Sequence, residues 1–292
     1  MSATDNPTPT PAPTPAPAPA PGGTPAPAPA GEAPIVEFDN VWKRYGGKEI
    51  LAGVNLNIRR GEIVCILGPS GTGKSVCLRH INGLTKPDDG DVRVFGQSIN
   101  PLTEEQLSPI RRRLAMLFQG GALFDSMNVE RNVGFPLREH TQKTPKEIAE
   151  TVAEKLAMVG LPGTQRKMPS ELSGGMRKRV ALARSIALEP EIILYDEPTT
   201  GLDPLTSEKI GQLIVDINHR IRTTSVVVTH DIVMARTVAN RLAFLHQGRF
   251  QFIGTFEEAT RSGHPVLMEY FRSMGFPCGT GVIPLMKDLK QN

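Results

Sequence analysis

The sequence is short of cysteine, of aromatic residues and of long apolar runs, and each shortage narrows what the chain can be. Cysteine occurs only three times, as Cys65, Cys77 and Cys278. The number is odd and no pair has metal-ligand spacing, so neither a disulfide framework nor a zinc site has material to build on. Cys65 and Cys77 sit within apolar stretches and read as small buried hydrophobes; a reducing compartment fits. No apolar run approaches the ~20 residues that span a bilayer. The N-terminus lacks both the basic start and the hydrophobic stretch of a signal peptide, so a soluble or peripheral protein is expected. An excess of one charge is also missing: 33 basic and 30 acidic residues leave a formal net charge of +3. That near-balance gives no electrostatic reason to expect nucleic acid or an anionic membrane as the main partner. The one tight basic cluster, Arg111-Arg112-Arg113, reads as a solvated helix face.

What is present is a core. Hydrophobic residues make up 39% of 292, enough for one large domain or a domain with an embedded subdomain. Residues 1–34 form a low-complexity Pro/Ala/Thr tail that has almost nothing to bury; a PPII-like, disordered spacer is expected. Folding should begin at Ile35. Ile35 to Phe38 and Val54 to Ile58 alternate apolar and polar, as half-buried strands do. Ile63 to Leu67 is nearly all apolar, as a buried parallel strand should be. It feeds a glycine-rich turn and a helix from Lys74 to about Ile81, closed by Gly83. Asp91 to Phe95 and Leu114 to Phe118 follow as strands. From about 120 to 189 the pattern turns helical, with a capping box and N1 proline at Thr144, Pro145 and Glu147, and another helix from about Gly174. Strands resume at Ile192 to Tyr195 and Val226 to Thr229, separated by a helix near Ser207 to Arg222. Leu242 to Leu245 and Phe250 to Ile253 read as a hairpin around Gly248, and a final helix lies near Val266 to Met274. The fold class is α/β: a parallel core interrupted by a helical insert.

Gly68-Pro69-Ser70-Gly71-Thr72-Gly73-Lys74-Ser75 follows the buried strand and opens a helix, the pattern of a P-loop. Glycines let the backbone wrap so that successive N–H groups face phosphate oxygens, and the helix N-terminus adds partial positive charge. Lys74 supplies a point charge to the outer phosphates and Ser75 a hydroxyl for Mg²⁺. ATP with Mg²⁺ is the expected ligand. A second acidic site should complete the metal's surroundings, and Ile192 to Glu197, an apolar strand ending in two carboxylates, offers one. Asp196 suits Mg²⁺ through its water shell. Glu197, one residue on, suits a general base that polarises the attacking water.

Leu172-Ser173-Gly174-Gly175-Met176, placed shortly before Asp196-Glu197, resembles the signature motif of ABC ATPases. The resemblance covers about Ile35 to Gly263. It implies a P-loop NTPase with a RecA-like core, an antiparallel β subdomain and an inserted α-helical subdomain at about 120–189, within an ATPase domain of 35–263 followed by a C-terminal extension, 264–292. It also implies a homodimer in which Ser173, Gly174 and Gly175 of one copy bind the γ-phosphate held by the other. Gln119 resembles the glutamine that contacts the metal and senses the insert. His230 resembles the histidine that grips the γ-phosphate, and Leu202-Asp203 resembles the D-loop. Tyr45 matches the aromatic that stacks on adenine. His80, His140, His219, His246 and His264 follow no pattern and read as structural or solvent-facing.

A finer resemblance is to the Mla and Mkl type of ATPase, which powers lipid transport between bacterial membranes. It is carried by Met116 to Phe124 with Met127-Asn128-Val129, by Pro136 to Thr141, and by Met168 to Met176. That resemblance implies a membrane permease, an MCE-domain substrate-binding protein, room for a STAS-domain regulator, and a peripheral position on the cytoplasmic face of the inner membrane. Ala122, Leu123, Phe124 and Met127 suit a groove for the permease's amphipathic helix, and equally suit ordinary packing of the insert. Import of amino acids or another small polar solute is the alternative, opposed only by these permease-facing stretches. A soluble ABC ATPase of DNA repair or translation is more remote, since the chain has a single P-loop, no CxxC pair and a short insert. Lys74→Ala should abolish nucleotide binding, measured by calorimetric titration with ATP; undiminished affinity would contradict the P-loop assignment.

Overall fold

A computed structural model describes residues 33–276; the stretch before residue 33 and the residues after 276, Cys278 among them, lie outside this range. The chain opens with a long antiparallel pair, β1 (Val36–Tyr45) and β2 (Lys48–Ile58). Both run beyond the short alternating stretches read from sequence. Register shifts after Phe38, Val41 and Lys43 let the alternation lapse while the pairing continues. β3 (Ile63–Leu67) is buried at every position, and α1 (Lys74–Ile81) follows it. β4 (Asp89–Val94) and β5 (Gln97–Ser98) complete a four-stranded sheet in the order β2-β1-β4-β5.

α2 (Glu104–Arg112) is a helix that hydrophobic periodicity did not reveal. Its start is a capping box: Thr103 Oγ1 accepts from the Gln106 N–H and the Gln106 side chain accepts from the Thr103 N–H. The arginine cluster at its end is only in part the solvated face expected. Arg111 donates to the Asn82 carbonyl and pairs with Glu104. Arg113 pairs with Glu191 and lies 3.6 Å from the centroid of the Phe95 ring. Arg111 is half-buried, whereas Arg112 and Arg113 are exposed. Forked guanidinium donors let these side chains staple α2 to its neighbours.

β6 (Leu114–Leu117) leads into a stretch of α3 (Val129–His140), α4 (Pro145–Met158), a 3-10 turn at Pro169–Glu171 and α5 (Gly174–Ser185). The capping box at Thr144 and Glu147 forms as its spacing requires. Apolar faces of these helices converge on Val133, Leu137, Val152, Leu156 and Val180, all buried. Lys155 is buried with them at 1% side-chain exposure, yet its ammonium reaches Glu189 at 2.7 Å and Glu154 at 3.1 Å. The chain then alternates through β7 (Ile192–Asp196), α6 (Pro204–Ile221), β8 (Thr224–Thr229), α7 (Ile232–Val238), β9 (Arg241–His246) and β10 (Arg249–Gly254). It closes with α8 (Phe256–Arg261) and α9 (Pro265–Ser273).

The second sheet is six-stranded, in the order β10-β9-β3-β8-β7-β6. Its strands pair in parallel from β9 through β3, β8 and β7 to β6, and β10 adds antiparallel as the second arm of the hairpin. Helices cover both faces, so the central strands are buried throughout and their residues are apolar without alternation. The two sheets meet where the Ala52 N–H donates to the Gly248 carbonyl at 2.8 Å. Among the described residues no helix is long and apolar enough to cross a membrane.

Asn132 on α3 fixes the loop between β6 and α3. It is fully buried, its amide donates to the carbonyls of Phe124 at 3.0 Å and Met127 at 2.8 Å, and its carbonyl accepts from the Phe124 N–H at 2.9 Å. Asn132→Ala leaves buried backbone groups without partners and should cost about 2 kcal/mol. A urea titration should show a lower midpoint with an unchanged slope.

Candidate functional site

Four parallel strands end on the same edge of the sheet, and the residues that follow them share one cleft. β3 delivers Gly68 to Ser75, β8 delivers His230, β7 delivers Asp196 and Glu197, and β6 delivers Gln119. This crevice outside the carboxyl ends of parallel strands is where open α/β sheets bind ligands. The cleft measures ≈ 370 Å³, and Ser70, Gly71, Lys74, Gln119, Glu197 and His230 are among its walls. Tyr45 stands at its mouth, 46% exposed.

The loop's own bonds explain its shape. Gly71 and Gly73 hold φ of 78° and 100°, values that side chains resist. Pro69 turns its carbonyl inward, where it accepts from Thr72 Oγ1 and Lys74 Nζ, each at 2.9 Å. Lys74 is nearly buried, and burial lowers its pKa against the opposing pull of Glu197. The ammonium lies 3.7 Å from Glu197 Oε1. Ser75 Oγ donates to Asp196 Oδ1 at 2.7 Å, so a hydroxyl and a carboxylate from distant parts of the chain sit side by side, as a hard divalent cation requires.

Glu197 occupies an unusual place. Its backbone is left-handed, at φ 49°, a conformation that costs a non-glycine residue about 1 kcal/mol or more. The Glu197 N–H donates to the Val228 carbonyl at 2.9 Å, which continues the pairing of β7 with β8 and holds the turn. Its side chain is 13% exposed, and Oε2 is 2.9 Å from His230 Nδ1. The carboxylate is therefore aimed across the loop, between a lysine and a histidine.

Ser173, Gly174, Gly175 and Asp203 are elsewhere. They line a separate cleft of ≈ 420 Å³ with Arg179 and Lys209. Ser173 caps α5 by accepting from the Met176 N–H at 3.3 Å, and Asp203 caps α6 by accepting from the Thr206 N–H at 3.0 Å. Leu202 packs close to Gly174. The expected site residues thus fall in two separate clefts of one chain. A third, more apolar groove of ≈ 660 Å³ runs between β6, α3 and α5 and includes Phe118, Ala122, Phe124 and Phe135. Leu123, expected with them, packs instead into the insert core, and Met127 is not among the residues of the groove.

Two functional neighbours were missed in the sequence. Lys178 sits in a basic run, Arg177 to Arg179, to which no role was given; it is buried and donates to the Gln119 carbonyl. Tyr270, on α9 beside Phe271, donates its hydroxyl to the His230 carbonyl at 2.7 Å. Neither has a local pattern that reveals it. The cysteines stay out of the chemistry: burial pushes the Cys77 thiol up to about 12 and raises Cys65 as well.

Comparison with known proteins gives a consistent answer. The ABC transporter family profile matches residues 51–200. The probable ribonucleotide transport ATP-binding protein mkl of Mycobacterium tuberculosis is 45% identical over 80% of this chain and 66% of its own length, slightly under two thirds. The intermembrane phospholipid transport system ATP-binding protein MlaF of Escherichia coli is 40% identical over 82% of this chain and 88% of its own. Among solved structures, the ATP-binding cassette MJ0796, a dimer in a post-hydrolysis state bound to ADP and Pi, superposes with a TM-score of 0.70 at 38% identity, covering 76% of this chain and 98% of that one.

Gly68 shows how little slack the cleft has. A Cβ on it would lie 2.2 Å from the Leu245 carbonyl oxygen, a backbone atom of β9 that cannot turn aside. Gly68→Ala should displace the loop from the sheet, lowering ATP affinity about tenfold or more and the melting temperature with it, as read by calorimetric titration and thermal unfolding.

Proposed function

The chain belongs to the ABC transporter family, and from that premise we propose that it is an ATP-hydrolysing subunit that works as a homodimer and drives phospholipid movement between bacterial membranes. One observation carries the catalytic half of this reading: the lysine-bearing loop, Glu197 and His230 share one cleft, with Asp196 bonded to Ser75 of its wall, while Ser173, Gly174 and Gly175 line another. Each copy supplies one half of two sites, and a two-fold arrangement completes both. The dimeric cassette to which the chain is similar supports it.

The residues divide the work. Tyr45 offers its exposed ring to adenine. Backbone N–H groups of Gly71 to Ser75 face the phosphates at the N-terminus of α1, and Lys74 adds charge to the outer ones. Ser75, Asp196 and Gln119 would hold Mg²⁺, which when bound supplies charge neutralisation of the phosphoryl oxygens. Glu197 accepts the proton of the attacking water, and His230 holds that carboxylate in line through Nδ1. Ser173, Gly174 and Gly175 of the second copy close over the terminal phosphate as an anion-binding nest, and Asp203 lies beside them. The cycle is then closure on ATP and release after hydrolysis.

The permease-facing groove supports a membrane partner. Phe118 and Phe124 are 44% and 40% exposed there, which suits the apolar side of a helix laid into it. The relation to MlaF supports phospholipid as the cargo, with an MCE-domain binding protein and a STAS-domain regulator as further partners and the cytoplasmic face of the inner membrane as the location. The name of the mycobacterial relatives favours a second reading, a ribonucleotide as cargo; transport assays with reconstituted membrane partners separate the two.

Glu197→Gln should keep ATP affinity, lower kcat by about a hundredfold or more, and accumulate an ATP-bound dimer on size exclusion. Wild-type turnover in that variant would refute the assigned base.

A further inference from the structure

We propose that Tyr270 of α9 is a positioning residue for hydrolysis, holding the His230 peptide so that the imidazole meets Glu197. The inference rests on the catalytic roles given above to Glu197 and His230.

The argument begins with the backbone at the end of β8. The strand's pairing ends at Thr229. The first carbonyl to accept within α7 is that of Asp231, from the Ala235 N–H at 3.0 Å. The His230 carbonyl falls between the two, beyond the sheet ladder and before the helix, and neither regular structure satisfies it. Tyr270 does, through its hydroxyl at 2.7 Å. The other end of the same peptide unit and the side chain that follows it are also tied down. Thr229 Oγ1 accepts from the Asp231 N–H at 3.0 Å, and Asp231 caps α7 by accepting from the Val233 and Met234 N–H groups. With these bonds on one side and Tyr270 on the other, the peptide plane has little rotation left. That plane sets the Cα–Cβ direction, and the ring it carries sits 2.9 Å from Glu197.

Tyr270 is itself well anchored. It is 9% exposed and its neighbours Leu267 and Phe271 are fully buried. Its ring lies 5.2 Å from that of Phe244 on β9, and Phe271 stacks on Phe256 of α8 at 5.8 Å. Burial, together with the charges of Glu197 and Asp231, raises the phenol's pKa, so the hydroxyl stays a donor at physiological pH. The C-terminal helix therefore reaches the hydrolytic centre through one bond. A displacement of α9 would release the His230 carbonyl and loosen the histidine without touching the nucleotide loop.

The test uses the full-length chain and four proteins: wild type, Tyr270→Phe, Glu197→Gln as control, and a variant with para-aminophenylalanine at 270, which restores a donor on the same ring. Tyr270→Phe keeps the packing and removes the bond. It should lower kcat about three- to tenfold, the range of one neutral hydrogen bond, and leave the KM for ATP within about twofold. The imidazole nitrogen signals of His230 should shift in its NMR spectrum while those of His80, His140 and His219 stay in place. The amino variant should recover turnover. Wild-type turnover in Tyr270→Phe, with Glu197→Gln inactive, overturns the inference and leaves the proposed function standing. So does a loss of turnover with unmoved His230 signals, which marks general destabilisation. Turnover in Glu197→Gln would instead overturn the functional reading. If Tyr270→Phe does not fold, the amino variant alone decides: its turnover should equal wild type, and a loss there also overturns the inference.

Discussion

The parallel register of β3, β8, β7 and β6 forces their following loops off the sheet at one edge, and the chemistry depends on that edge. Ser75 and Asp196 are 121 residues apart in sequence and 2.7 Å apart in space. Glu197 and His230 are separated by 33 residues and 2.9 Å. Neither contact has a local cause. Both follow from strands whose buried, continuously apolar residues can be satisfied only inside a sheet covered on both faces. Burial of that core, at roughly 1.5–3 kcal/mol for each large aliphatic side chain, outweighs the left-handed backbone at Glu197, which costs on the order of 1–3 kcal/mol.

Charge at this edge is held in balance at short range. Two buried lysines, Lys74 and Lys178, arrive from opposite sides, and for both burial lowers the pKa while Asp196 and Glu197 raise it. Two carboxylates in adjacent positions would repel in a cleft of low dielectric; the cations make their coexistence tolerable. Lys178 belongs to the same helix that Ser173 caps, and its bond to the Gln119 carbonyl ties the helical insert to the end of β6. The helix that opens with Gly174 and Gly175 is thus joined to the loop beside the apolar groove. Motion of one is felt by the other through a bond rather than through a long chain of packing.

α9 extends the same logic to the C-terminal side. It packs its own apolar face on β9, β10 and α8 and is not free for a partner on that side. Its contribution to the site is a single hydroxyl at a place where sheet and helix both leave a carbonyl unpaired. The segment beyond residue 276, expected to meet a second subunit or a regulator, lies outside the described residues.

The glycine-rich loop and the carboxylate pair were legible as sequence because each depends on neighbours in the chain, whereas His230 was marked only by resemblance to the family. A tight phosphate loop needs glycine at fixed intervals, and a metal-binding carboxylate needs a strand to end on. The capping box at Thr144 and the apolar strands are local for the same reason. Helix α2 escaped because it is short, carries Pro109 inside it and buries only Leu107 and Ile110, although its own capping box at Thr103 was available as a signal. What only tertiary structure decided is which side chains face inward when no local pattern tells: Lys178 buried within a basic run, Arg111 folded back onto its neighbours, Leu123 turned from the groove, Tyr270 under His230. A run of charged residues or an aromatic side chain carries no record of the surface it will meet. That surface exists only once distant strands have paired, so such roles are assigned by packing and not by the sequence around them.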